Sequence, residues 1–198
     1  PKEEHTIVNM FFTGERGVGK STLLNRLLAK RQLKIDGFRT LPFVHPGGGK
    51  GFYLAANEEV PLANPGPDRI IARRAADGRI EERFPHVFDT VGVRILSRCL
   101  NNPPDLIVMD ELGFLENQAL QFQHWVFRCL EAPVSVLGVI KPRSTPFLDR
   151  IRQRQDVTVC PVTVANREQM YRQLAAKFSN PNHDSYLPTV SAGPQPRP

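Results

Sequence analysis

The sequence predicts an α/β fold, a mostly parallel sheet with helices on both faces and an antiparallel β insertion after the first helix. Three observations predict it. An apolar run, Ile7-Val8-Asn9-Met10-Phe11-Phe12, leads through a glycine-rich turn into a leucine-rich helical pattern. From about Val91 onward helical and extended patterns alternate, as they do where crossover helices connect parallel strands. Between these regions, residues 37 to 88 hold short extended segments punctuated by Pro46-Gly47-Gly48-Gly49 and Asn64-Pro65-Gly66-Pro67, the pattern of an antiparallel meander.

Taken in order, the first strand covers about residues 7 to 13 and the first helix runs from Lys20 to about Arg31. Leu23, Leu24, Leu27 and Leu28 make one apolar stripe, so this helix packs on the sheet. Phe38 to Val44 and Gly51 to Ala55 are the extended segments of the insertion. A helix from Val91 to Leu100 stops at Asn102-Pro103-Pro104, and Leu106-Ile107-Val108-Met109 reads as a buried strand. The next helix carries Ala119, Phe122, Val126 and Cys129 on one face with Trp125 beside them, a stripe that serves the core rather than base stacking. A strand from Val134 to Ile140, a short helix from Phe147 to Arg154, a strand from Val157 to Val164 and a helix from Arg167 to Phe178 complete the pattern. Residues 1–178 are therefore expected to form one domain. The tail at 179–198, rich in proline and poor in apolar residues, is expected to be disordered.

A chain of 198 residues that is 40% hydrophobic and 23% charged can bury a full core. It has no apolar stretch of the roughly 20 residues that span a bilayer and no secretory leader at its start, so a soluble, cytoplasmic monomer without a membrane partner is expected. Cys99, Cys129 and Cys160 are widely spaced in apolar surroundings, which fits reduced core thiols and argues against a zinc site. The net charge of +6 raises the question of nucleic acid. The arginines are dispersed rather than gathered into an aromatic-interleaved patch, so nucleic acid is not expected as a partner. A polyphosphate ligand would also need positive charge.

Residues Gly14-Glu15-Arg16-Gly17-Val18-Gly19-Lys20-Ser21 form a Walker A sequence in its proper setting, with strand before and helix after. Such a loop turns successive N–H groups inward to hold phosphates at a helix N-terminus. Lys20 would reach the β- and γ-phosphates and the Ser21 hydroxyl would coordinate Mg²⁺. A phosphate loop also needs an acid on a neighbouring strand, for which Asp110 and Asp89 compete. Asp110 ends a long apolar run suited to a central strand, whereas Asp89 follows only Val87 and Phe88 and fits an N-cap for the helix starting near Val91. Asp110 is therefore taken as the metal acid. Glu111, the next residue, is placed to activate water, and Gly113 suits a sharp turn out of the strand. Arg143, past the strand ending at Ile140, is the candidate cation for charge on the transferring phosphoryl group. Arg150 and Arg154 would share a lid with it, with solvated helix charge the plainer account of Arg152 and Arg154.

The Walker A sequence, Gly37-Phe38-Arg39-Thr40, Asp110-Glu111-Leu112-Gly113 and Val162-Thr163-Val164-Ala165-Asn166-Arg167 occur in this order. Together, from about Val8 to Phe178, they resemble the cancer-related nucleoside-triphosphatase family of small P-loop proteins, also found in thermophilic prokaryotes. The resemblance implies a RecA-like P-loop NTPase core and slow, Mg²⁺-dependent hydrolysis of several nucleoside triphosphates, ATP and GTP among them, to diphosphate and phosphate. By the same likeness Lys20, Ser21 and Thr22 belong to the phosphate and metal site, Asp110 is the Walker B acid, Glu111 the catalytic glutamate, and Asn166 and Arg167 contact the base. Arg39 stands where tyrosine is frequent in that family.

Two other functions use the same cradle. A kinase would pass the γ-phosphate to a nucleotide or small phosphate-accepting metabolite under an arginine lid from Arg143 to Arg154. A switch GTPase would rest on Asp89-Thr90-Val91-Gly92, but its guanine-reading Asn-Lys-x-Asp element is missing.

Overall fold

The computed structural model describes residues 7–29, 32–45, 49–75 and 77–179, with side chains described as far as residue 176. The polar arm before Ile7, the turn at 46–48 and the proline-rich tail from residue 180 lie outside the described residues. In chain order the elements are β1 (Asn9–Thr13), α1 (Lys20–Leu28), β2 (Ile35–Val44), β3 (Lys50–Ala56), β4 (Ile70–Arg74), β5 (Ile80–Arg83), α2 (Val93–Asn101), β6 (Leu106–Leu112), α3 (Leu120–Glu131), β7 (Ser135–Ile140), α4 (Pro146–Arg152), β8 (Val157–Pro161) and α5 (Arg167–Ser179).

All eight strands join one sheet in the order β5-β4-β3-β2-β6-β7-β1-β8. The run from β2 through β8 in that order is parallel, and β3, β4 and β5 extend it as an antiparallel meander. Its apolar residues divide by face with period two. Phe11, Phe38, Ile107 and Met109 belong to the core beneath α2, α3 and α4, where they meet Phe122 of α3. Met10, Phe12, Val108 and Leu137 pack with Leu23, Leu24 and Leu27 of α1 and Leu174 of α5 on the other face. Cys99, Cys129 and Cys160 are buried thiols. No described helix is long and apolar enough to cross a membrane.

The insertion grows directly from the parallel core. β2 starts at Ile35, earlier than its apolar pattern suggests, because Ile35 to Arg39 pair in parallel with β6 while Phe38 to Val44 pair antiparallel with β3. Asp36 anchors this junction through Arg98 of α2, whose Nε and Nη2 donate to its carboxylate at 2.9 and 2.6 Å. β8 ends at Pro161 rather than Val164, since Thr163 and Asn166 fold into the turn that opens α5. The approach to α2 is a π-helical turn, Phe88–Gly92, and Asp89 does not cap that helix. Its carboxylate accepts from the Phe122 amide at 2.9 Å and so caps the first turn of α3 from a neighbouring element.

Gly37 lies opposite Val108 in the β2–β6 pairing with φ of +126°, and a Cβ there would collide with the Val108 carbonyl. Gly37→Ala should lower stability by about 2 kcal/mol or more, combining a left-handed backbone with overpacking against main chain. Urea unfolding checks this, and an unchanged midpoint would refute it.

Candidate active site

Parallel strands deliver their carboxyl ends to one edge of the sheet, where α/β proteins bind ligands. Here β7 lies between β1 and β6, so the chain leaving β1 spans one strand to meet the end of β6. The loop from Gly14 to Gly19 makes that crossing. A side chain at Gly14 would strike the Val162 carbonyl, which fixes how closely the loop lies against the segment after β8. Glu15, Arg16 and Gly17 are exposed. Lys20 is buried and curls back over its own loop, where Nζ donates to the carbonyls of Gly14 and Glu15 at 2.8 Å each. Ser21 and Thr22 follow in the first, exposed turn of α1.

Ser21 Oγ donates to Asp110 Oδ1 at 3.0 Å. This contact joins the phosphate loop to β6. Burial pushes the Asp110 carboxyl up to about 6, and Glu111 beside it adds to that, while the Ser21 hydroxyl, Arg39 and Lys20 pull the other way. Arg39 stands opposite Asp110 in the β2–β6 register and so shares its face, and Arg39 Nη2 donates to the Glu59 carbonyl at 2.7 Å. A carboxylate whose burial outweighs its neighbouring cations is a good place for a divalent ion. Asp110 and Ser21 supply hard oxygen donors, and Mg²⁺ suits such a sparse protein set because it takes its other ligands from water and phosphate. Among the described residues no three His, Cys, Asp or Glu side chains cluster as a self-sufficient metal cage.

The β6–β7 register slips at Glu111, with Asp110 opposite Val139 and Leu112 opposite Ile140. Glu111 is thus the extra residue of a bulge, a device that re-aims side chains next to active sites. Its Oε1 meets Lys141 Nζ at 3.0 Å, directly beyond the end of β7. Lys141 escaped the sequence reading, which looked two residues further on to Arg143. Its signal was position: it is the first residue after the buried strand Ser135–Ile140. Arg143 itself lies over the Phe114 ring, 4.9 Å from the centroid.

The remaining candidates divide. Asn166 is engaged at both ends of its carboxamide, accepting from the Thr163 amide at 2.8 Å and donating to the Pro161 carbonyl at 2.9 Å. Arg167 reaches the phosphate loop, where Nη1 is 3.3 Å from the Val18 carbonyl. Arg150 and Arg154 do not join Arg143 as a lid. Arg150 covers Phe127 at 4.4 Å, and Arg154 pairs with Glu131 and Asp156. Arg152 is not solvated helix charge, since its guanidinium donates to the carbonyls of Lys141 and Arg143.

Behind Glu111 sits the buried Glu116, whose two carboxyl oxygens both accept from the Gly113 amide at 3.1 Å. Burial pushes this carboxyl up to about 7, against that hydrogen bond and Lys141. A raised acid binds its proton more tightly folded than unfolded, so its contribution to stability is present at low pH and is lost as pH rises from about 4.5 to about 7. Glu116→Gln keeps an acceptor for Gly113 without the charge. It should match the parent near pH 4.5 and exceed it at pH 8 by on the order of 2 kcal/mol. Denaturant unfolding at the two pH values checks this, and a variant less stable at both would contradict it.

Comparison with known proteins places the chain in a family. Residues 9–175 match the model of a family described as NTPase. Nucleoside-triphosphatase THEP1 of Thermotoga sp. (strain RQ2) is 28% identical over 171 residues, covering 84% of this chain and 93% of its own. The human cancer-related nucleoside-triphosphatase is 28% identical over 176 residues, covering 82% and 92%. The crystal structure of THEP1 from Aquifex aeolicus superposes with a TM-score of 0.65 at 21% identity, covering 84% of this chain and 96% of that one, a likeness of fold. The chain therefore belongs to the NTPase family, on a P-loop NTPase fold.

Proposed function

We propose that this chain hydrolyses nucleoside triphosphates to nucleoside diphosphate and phosphate in the presence of Mg²⁺. The observation that carries the reading is the 3.0 Å contact of Ser21 with Asp110, with Glu111 next in the chain and turned to the end of β7. The amides of the Gly14 to Gly19 loop grip the phosphates. Lys20 leaves the Gly14 and Glu15 carbonyls for the β- and γ-phosphates, exchanging neutral acceptors for charged ones. Ser21 and Asp110 hold the metal, and bound Mg²⁺ would supply charge neutralisation across the phosphate oxygens.

Glu111 orients and deprotonates the attacking water as general base. Lys141 positions that carboxylate from the end of β7. Arg143 supplies a cation in cis for charge on the transferring phosphoryl group. Glu111→Gln should reduce phosphate release at least about a hundredfold with nucleotide affinity kept, the loss expected for a general base. Turnover at the parent rate would remove Glu111 from the mechanism.

Arg167 is the base-side contact, because Asn166 is committed to its own loop. A planar guanidinium stacks on any nucleobase without reading its edge. Initial rates with ATP, GTP, CTP and UTP should therefore give kcat/KM values within about tenfold of one another, since stacking is sequence-tolerant. A preference for guanine well beyond that would favour a dedicated GTPase instead.

A further inference from the structure

One aromatic ring beside the proposed active site gathers three cations. Phe114, half-buried on the turn after β6, has Arg143 at 4.9 Å from its centroid, Lys141 Nζ at 5.3 Å and Arg83 at 5.5 Å. Cation–π contact at a solvent-accessible site returns about 0.5–1 kcal/mol per pair. It does not neutralise charge. Three positive groups around one ring lie within reach of a single bound anion, which each would attract at less than a Debye length.

The described carboxylates supply little of that anion. Glu111 pairs with Lys141, while Arg83 and Arg143 make no ion pair among the described residues. Glu116 turns both oxygens onto the Gly113 amide. Arg83 and Arg143 are thus the two cations of the cluster left without a carboxylate among the described residues.

The cluster is also built rather than loose. Arg152 holds the carbonyls of both Lys141 and Arg143 from behind, and the Lys141 amide donates to the Leu112 carbonyl at 2.9 Å. Thr145 caps α4 through the Leu148 amide at 3.2 Å, which fixes the far end of the same loop. Arg83 comes from β5, the outer strand of the antiparallel meander. The meander thereby brings a cation to the neighbourhood of Glu111 that the parallel core lacks.

We propose that Arg83 and Arg143, with Lys141 held beside them by Glu111, form a second oxyanion site around Phe114 that takes a phosphoryl dianion, either free inorganic phosphate or the phosphate of a monoester. Guanidinium forks match tetrahedral oxyanions, and the exposed arginines leave the site open to solvent. Its place in turnover, as the station next to Glu111 for phosphate released from the nucleotide or carried by an acceptor, rests on the hydrolysis proposed above. Anion binding itself does not.

The test uses the full chain saturated with Mg²⁺ and ADP, with labelled inorganic phosphate as probe in equilibrium dialysis. Arg83→Gln should weaken phosphate binding at least about fivefold, the loss of one charge-assisted contact at an exposed site, and Arg83→Lys should retain most of it. Phosphate bound equally by the parent and Arg83→Gln would overturn the proposal, since the anion would then sit on the P-loop alone. Stronger displacement of the probe by nucleoside monophosphates or sugar phosphates than by phosphate identifies a monoester as the source. The reverse order identifies the free product. Arg83-dependent phosphate binding in a chain that releases no phosphate from any nucleoside triphosphate would keep this site and sink the hydrolase.

Discussion

The contact between the Ser21 hydroxyl and the Asp110 carboxylate is the constraint on which the rest of the site depends. It links the first turn of α1 to the end of β6 across the intervening strand β7. That same strand places Lys141 at the edge beside Glu111. The observed strand order therefore sets Asp110 against the phosphate loop and gives the adjacent glutamate a fixed partner. The apolar faces of β1, β6 and β7 hold this order by packing α1 and α5 on one side and α2, α3 and α4 on the other.

Charge around the site is unevenly matched. Structural ions are paired: Asp36 with Arg98, Arg154 with Asp156, Arg26 with Glu168. At the carboxyl edge the balance fails in both directions. Asp110 is buried with its carboxyl raised, while Arg83 and Arg143 face a ring instead of a carboxylate. In the proposed account a metal would satisfy the first and a phosphoryl group the second.

Local signals carried most of the fold. The run Leu106 to Met109 marks β6 and so Asp110, the leucine stripe marks α1, and glycine spacing marks the phosphate loop, because each is written within a few consecutive residues. What escaped depends on partners distant in sequence. β2 pairs with β6 through its first half and β3 through its second, a division that no periodicity within β2 records. Asp89 caps a helix 33 residues away rather than its own. Arg152 looks like surface charge until the carbonyls of Lys141 and Arg143 are seen to meet it. Lys141 follows directly on a buried strand, but its contact with Glu111 joins the ends of β6 and β7, which only the strand order makes neighbours.

A crystal structure with Mg²⁺ and a non-hydrolysable nucleoside triphosphate tests the account most directly. The predicted result has Lys20 Nζ released from the Gly14 and Glu15 carbonyls onto the phosphates, Asp110 still beside Ser21 at the metal, and Glu111 facing the γ-phosphate. Phosphates bound elsewhere, with Lys20 still folded on its own loop, would contradict it.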